Sequence, residues 1–357
     1  MKNVLRPLPV FVAAGLILAA CAPSSYGLSL SAAAFGVTAR TTPTPTATPI
    51  PIPTAIPMPY DPPPATGLVS GVAPVQYLAD KCDYLSRRWN PENAEPGTIV
   101  APVMFHSVTQ PGRAIPSSDH TSMTAEAFAQ FMQHAHRLGF ETITATQLVN
   151  FLERNAKIPP RSMILIVDDR RPGVVREHFL PFLKQYNWTV TLGYITGVVE
   201  PPEWQELAAL AATGRIDVQA HGFLHNGSTY ITDHTPEETT LREIYAPIPA
   251  IRQHFGSDPV AFVWPGGDFN TRAVQIARQA HYRIGFTVFA RGPLAFNWIP
   301  LGAQERAVAD PLLVLPRYWS PSAFPALDDA ARIGAEQAAY AAAHKDEEQR
   351  WMQTNCP

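Results

Sequence analysis

The sequence predicts an α/β protein built from parallel β-α units. Three observations carry that reading. Seven short apolar, β-branched runs recur along the chain, stretches with helical period separate most of them, and polar clusters follow directly on several of the runs. The runs are Ile99–Phe105, Met163–Val167, Thr189–Tyr194, Ile216–Ala220, Val260–Trp264, Ile284–Phe289 and Leu312–Leu315. Such alternation fits an open sheet or a closed barrel. In a barrel, functional residues should gather at the C-terminal ends of the strands.

Taken in order, the helical stretches have recognisable ends. Thr124 is placed to cap a helix that carries Phe128, Phe131, Met132, Ala135 and Leu138 on one face and stops at Gly139. Val174–Tyr186, Glu203–Ala212, Pro236–Phe255 and Thr271–Ala280 show the same period. No internal repeat is found.

Ahead of this region the composition changes. Lys2 and Arg6 flank an apolar run, Val10–Ala20, that is short for a bilayer span and reads as a signal peptide over residues 1–20. The run ends in Leu18-Ala19-Ala20-Cys21, which resembles a bacterial lipobox with Cys21 as the lipidated residue. An ordinary secretory signal with an incidental cysteine is the alternative. Residues 21–77 read as an unstructured Thr/Pro-rich linker, since ten of the 37 prolines fall between Pro43 and Pro64. At about 3.1 Å per residue that stretch reaches on the order of 70 Å, a spacer that holds a catalytic head off a membrane. The folded domain is expected over 78–357.

The bulk numbers narrow the class. The chain has 357 residues, 46% of them hydrophobic and only 16% charged, as in a globular enzyme and unlike a disordered chain. A net charge of -3 offers no basic surplus for a nucleic acid. Besides Cys21 there are two cysteines, Cys82 and Cys356. In an oxidising compartment two remaining thiols commonly pair, and this pair would tie the start of the domain to its end. Two unrelated thiols are the other reading.

Three polar sites follow apolar runs. Asp168-Asp169 comes directly after Met163–Val167, and adjacent carboxylates at the end of a buried strand need something positive between them. A solvated turn is the bland alternative. His221 and His225 follow Ile216–Ala220, and a helical turn would put both rings on one face. Alone, that spacing is weak in a chain with 11 histidines. Trp264-Pro265-Gly266-Gly267-Asp268 ends the fifth run, with glycines that admit close backbone approach or merely form a turn. Together, one carboxylate and two imidazoles make an open site for one divalent metal, with zinc the expected ion, and the second carboxylate is placed to act as base.

These motifs, in this order, resemble the polysaccharide deacetylases of the NodB-homology family, carbohydrate esterases whose signature runs Thr-Phe-Asp-Asp-Gly, His-Ser/Thr-x-x-His, Arg-x-Pro-Tyr. The equivalents are Ile166-Val167-Asp168-Asp169-Arg170, His221-Gly222-Phe223-Leu224-His225 and Val263-Trp264-Pro265-Gly266. Pro102-Val103-Met104-Phe105-His106 is similar to the Tyr-His motif of the poly-N-acetylglucosamine deacetylases. The resemblance spans about Thr98 to Trp319 and implies a distorted (β/α)7 barrel.

It also implies roles: Asp169, His221 and His225 as metal ligands, Asp168 as general base, His106 as general acid and the Gly266 N–H at the oxyanion position. The implied reaction is removal of acetyl groups from an N-acetylated polysaccharide; with Cys21 and the proline-rich linker, the protein is expected to be a monomer anchored at the cell envelope through its N-terminal lipid. Four departures stand out. Arg170 replaces the glycine after the carboxylate pair, Gly222 replaces a hydroxyl residue, Val263 stands where the family's arginine orients the base, and a C-terminal Leu-x-His motif is missing. Arg317 is the candidate substitute for that arginine. Two rivals remain at this level: a glycan-binding barrel without catalysis, and a glycosidase using Asp168 and Asp169. Against the latter, neighbours on one strand point to opposite faces, whereas glycosidase carboxylates flank one bond.

Overall fold

Among the described residues, seven parallel strands form the main path of one curled sheet: β1 (Ile99–Phe105), β2 (Arg161–Val167), β3 (Val190–Tyr194), β4 (Ile216–Ala220), β5 (Ala261–Val263), β6 (Ile284–Phe286) and β7 (Tyr318–Trp319). The two-residue pieces Glu141–Thr142, parallel to β2, and Leu294–Ala295, antiparallel to β1, are added off that path. This computed structural model describes residues 66–357 apart from 227 and 228. Val10–Ala20, Cys21 and Pro43–Pro64 lie outside the described residues. The strand order is β7-β1-β2-β3-β4-β5-β6. Leu315 bridges Phe286 of β6 in parallel, and Tyr318 and Trp319 then pair with Val103 and Met104 of β1. One short segment thus joins the two ends of the sheet, which gives the distorted (β/α)7 barrel its closure and its distortion.

The strands read as continuous apolar runs because both faces are covered. Met163, Leu165 and Val167 of β2 face a layer with Phe128, Phe131, Phe179 and Leu183, while Ile164 and Ile166 join Val100, Phe262 and Trp264 in the other layer. The connecting helices are α1 (Lys81–Arg88), α2 (Ala125–Arg137), α3 (Ala145–Arg154), α4 (Leu180–Tyr186), α5 (Pro201–Ala211), α6 (Glu237–Tyr245), α7 (Pro247–Phe255), α8 (Thr271–Gln279) and α9 (Ala323–Asn355). Thr124 caps α2 through the Ala127 N–H, and Gly139 follows its last turn at φ 76°.

Several expected elements shift. Leu312–Leu315 is no strand: Pro311–Leu313 is a 3-10 turn, and the strand forms later at Tyr318–Trp319, because Pro316 has no N–H for a ladder. The single helix expected over Pro236–Phe255 splits at Pro247, which opens α7 and cannot donate back into α6. The stretch expected as Val174–Tyr186 begins at Pro172 and carries a π-helical turn, Val175–Phe179, before α4.

The domain also begins earlier than residue 78. Ala73–Val75 pairs antiparallel with Ile299–Leu301, and the Tyr77 hydroxyl donates to Leu152 O. The sequence reading missed α9 altogether, since its many alanines offer little polar contrast between faces. Cys82 and Cys356 form a disulfide that ties α1 to the end of α9. Between the same two helices, buried Arg88 pairs with buried Glu348 at 3.0 Å. No helix among the described residues is long and apolar enough to cross a membrane.

Candidate active site

The barrel brings the motif residues to one end. The β1–β2 register sets Phe105 opposite Val167, so His106 and Asp168 leave their strands at the same level. The Asp168 N–H donates to Phe105 O, the His221 N–H to Tyr194 O and the Trp264 N–H to Phe286 O, each continuing a ladder one step. Beyond these points the backbone turns sharply. Asp169 has φ 72° and His225 φ 46°, left-handed conformations that non-glycine residues seldom take and that the surrounding structure must enforce. The expected helical turn between the histidines is absent. Gly222 at φ 78° breaks it, and an irregular turn brings the two rings to 4.4 Å between centroids.

Three ligand atoms converge. His221 Nε2 lies 3.6 Å from Asp169 Oδ1, His225 Nε2 lies 3.9 Å from the same oxygen, and one ligand atom from each residue falls within 4.8 Å of the others. His221 Nδ1 is 2.8 Å from Val263 O, a contact that needs the proton on Nδ1 and leaves Nε2 with its lone pair. That Nε2 is buried and has no hydrogen-bond partner. An orphaned buried imidazole nitrogen facing a carboxylate and a second imidazole is what an open three-ligand zinc site requires, so the residues fit a divalent cation.

Charge states agree with that use. Burial, helped by the neighbouring His221, pushes the His225 imidazole down to about 4, so it is neutral at neutral pH. Burial works to raise both aspartates, yet each is held below the ordinary carboxylate value: Asp169 by His221 and Arg171, Asp168 by Arg317, His221 and His106. His106 stands 3.9 Å from Asp168 Oδ2, and its imidazole is lowered by burial against the opposing pull of both aspartates.

Arg317 reaches Asp168. Its Nη1 donates to Asp168 Oδ1 at 2.7 Å and its Nε to Thr287 O at 2.7 Å, with both side chains buried. Val263 contributes only its carbonyl, to His221. The cation beside Asp169 and the two imidazoles is Arg171 and not Arg170, the residue that stands in place of the family's glycine. Arg170 turns away to Val198 O, whereas Arg171 donates through Nε and Nη2 to Asp169 Oδ2 and through Nη1 to the Ser107 hydroxyl. Adjacent residues leave a turn in different directions, and no spacing rule says which one faces inward.

Gly266 sits in the loop after β5 at φ 64°, and a Cβ there would meet the ring of Tyr230 at 3.0 Å. That ring stands edge-on to His225, with centroids 5.3 Å apart. Tyr230 and Arg171 carried no signal in the sequence, because neither belongs to a motif and each arrives by the path of its loop.

Fold and donor set together define a class: a parallel α/β barrel whose strand ends carry a carboxylate and two imidazoles in metal-binding geometry, with a buried Asp–Arg pair beside them. Within that class, residues 155–285 match the family model described as polysaccharide deacetylase, the family that the motifs resemble. No curated protein matches the chain by sequence. Among solved structures, the chain is similar to the Streptococcus pyogenes deacetylase PplD in complex with acetate, at 18% identity and a TM-score of 0.50, over 62% of this chain and 92% of that one. IcaB from Ammonifex degensii matches at 18% identity and 0.51, over 66% and 98%. A de-N-acetylase from Aggregatibacter actinomycetemcomitans matches at 14% and 0.51, over 65% and 99%. At such identities the likeness establishes the fold.

Proposed function

We propose that this chain is a metal-dependent N-deacetylase of an acetylated cell-envelope or extracellular polysaccharide. The observation that carries the reading is the bare, buried Nε2 of His221, set between Asp169, His225 and an Asp168 whose charge is held by Arg317. When bound, a divalent cation supplies Lewis-acid polarisation of the acetamide carbonyl. Asp168, charged and backed by Arg317, accepts the proton of the attacking water. The backbone N–H of Gly266 serves the developing oxyanion, and the ring of Tyr230 over it narrows the space around the carbonyl. His106, 3.9 Å from Asp168 Oδ2, is placed to take up the proton that Asp168 has accepted and to deliver it to the departing amine.

The contacts of Arg317 weigh against a barrel that has lost catalysis, since they replace the support missing at Val263. A glycosidase is disfavoured because both carboxylates are already committed, Asp168 to Arg317 and Asp169 to Arg171 and the imidazole cluster, which holds both charged and leaves no protonated carboxyl to act as the general acid. Asp169→Ala and His221→Ala are expected to lose the metal and all acetate release from chitin oligomers or poly-N-acetylglucosamine, assayed by metal analysis and acetate detection. A metal-stripped wild type that still releases acetate would overturn the reading.

We place the enzyme at the envelope, tethered through a lipid on Cys21 and a proline-rich spacer. Cys21→Ala is expected to move the protein from the membrane fraction to the soluble one. Unchanged fractionation would rule out the anchor and leave the proposed chemistry untouched.

A further inference from the structure

We infer that Glu243 is a positioning residue for the His225 imidazole of the metal centre, acting through the backbone of the turn that carries it; the inference rests on the metal-centre reading above. Glu243 lies on α6, outside every motif, and its side chain is wholly buried. Its carboxylate is directed at the backbone of the turn that joins the two histidines. Oε2 accepts the N–H groups of Phe223 at 2.8 Å, Leu224 at 3.0 Å and His225 at 3.3 Å, and Oε1 accepts Leu224 again at 3.1 Å.

The need for such an acceptor follows from the turn itself. Because residues 222–225 are not helical, their N–H groups have no partners within the segment, and part-buried amides without acceptors are costly. A carboxylate can take several donors at once, and charged acceptors bind them more strongly than neutral ones. The opposite edge of the turn is held separately, by the Thr196 and Gly197 N–H groups on Gly222 O and Phe223 O. His221 is oriented through its ring by Val263 O. His225 makes no such hydrogen bond from its ring among the described ones; the ring packs edge-on against Tyr230, and its left-handed backbone, held by Glu243, sets where the side chain departs.

The glycine at 222 is the counterpart of this glutamate. A Cβ at Gly222 would stand 2.8 Å from Glu243 Oε2 and 3.0 Å from Pro265 Cγ, on a backbone at φ 78°. A hydroxyl side chain therefore cannot share the site with Glu243 in its present place. The departure at position 222 and the buried acid on α6 are two halves of one arrangement.

The test uses the full chain, stripped of metal, with Zn²⁺ alone as the probe and a chromophoric chelator as competitor, well below the melting temperature. Glu243→Ala is expected to weaken zinc binding about 10–100-fold, as removal of outer partners of metal ligands typically does. Glu243→Gln keeps one carbonyl oxygen for the turn but sets an amide N–H₂ against the remaining donor, and is expected to fall between wild type and Glu243→Ala. Thermal melts of the metal-free proteins are run in parallel. A folded variant of either kind with the wild-type zinc Kd, whatever its melting temperature, reduces Glu243 to a loop anchor and overturns the inference. A wild type that takes up no zinc overturns the metal-centre reading and this inference with it.

Discussion

Asp168→Asn is expected to lower turnover by about 10²–10⁴-fold, the usual worth of a positioned general base, while the metal stays bound. The substitution is nearly isosteric, and the Asn carbonyl can still accept the Arg317 Nη1–H that now reaches Asp168 Oδ1. What disappears is basicity. Some loss of stability should accompany it, because the Arg317 charge is then buried without a counter-charge. Acetate release and metal content measured on the same preparation, far below the melting temperature, separate these effects. Metal-loaded Asp168→Asn with wild-type turnover would remove Asp168 from the chemistry. Loss of metal instead would move Asp168 into the ligand set, where its 3.9 Å distance to His221 Nε2 makes it the next candidate.

Arg317→Met is expected to destabilise the fold by about 3–5 kcal/mol, the typical cost of removing one partner of a buried ion pair. Methionine fills similar volume, so the loss reports charge more than packing. The pH dependence has a definite sign. In the wild type the Asp168 carboxyl is held below its ordinary value, burial being outweighed by Arg317, His221 and His106. Its contribution is therefore present above the unfolded carboxyl value of about 3.9 and lost as pH falls through the lowered folded value. Without Arg317 the burial effect is less opposed and the folded carboxyl rises. The variant then suffers most at neutral and alkaline pH, where a charged carboxylate must stay buried, and less in acid, where it protonates. Denaturant unfolding of metal-free protein at two pH values checks this, and the acid limb of kcat/KM should move upward in parallel. A pH-independent deficit would assign Arg317 a packing role. The double variant with Asp168→Asn should recover part of the loss, since it no longer strands a buried charge.

Much of the site is legible in the sequence, and particular residues show why. A strand that is buried on both faces must be apolar throughout, so the first polar residues after it mark where the strand ends. That logic located His106, Asp168, Asp169, His221 and His225. Arg317 was legible for a different reason: Val263 left the base without its usual cation, and Leu315-Pro316-Arg317 offered one near the chain's last apolar run. The direction of individual side chains in irregular turns was not legible. Arg170 and Arg171 are neighbours of equal charge, and the turn at Asp169 decides that only Arg171 faces the site. Glu243 looked like an ordinary acid on a helix, and nothing within four residues of it hints at the His221–His225 turn.

The sequence by itself determined the parallel β-α architecture, the order of the motif segments and the donor types at their ends. Each of these is written in local periodicity and in the polar residues that interrupt it. Tertiary structure alone decided how the ring closes through Leu315–Trp319, which arginine meets which aspartate, and which distant acid holds the histidine turn. Those pairings span 149 residues for Asp168 and Arg317 and 18 to 20 for Glu243 and the turn. Separations of that kind leave no periodic trace, because only barrel closure and loop path bring the partners together.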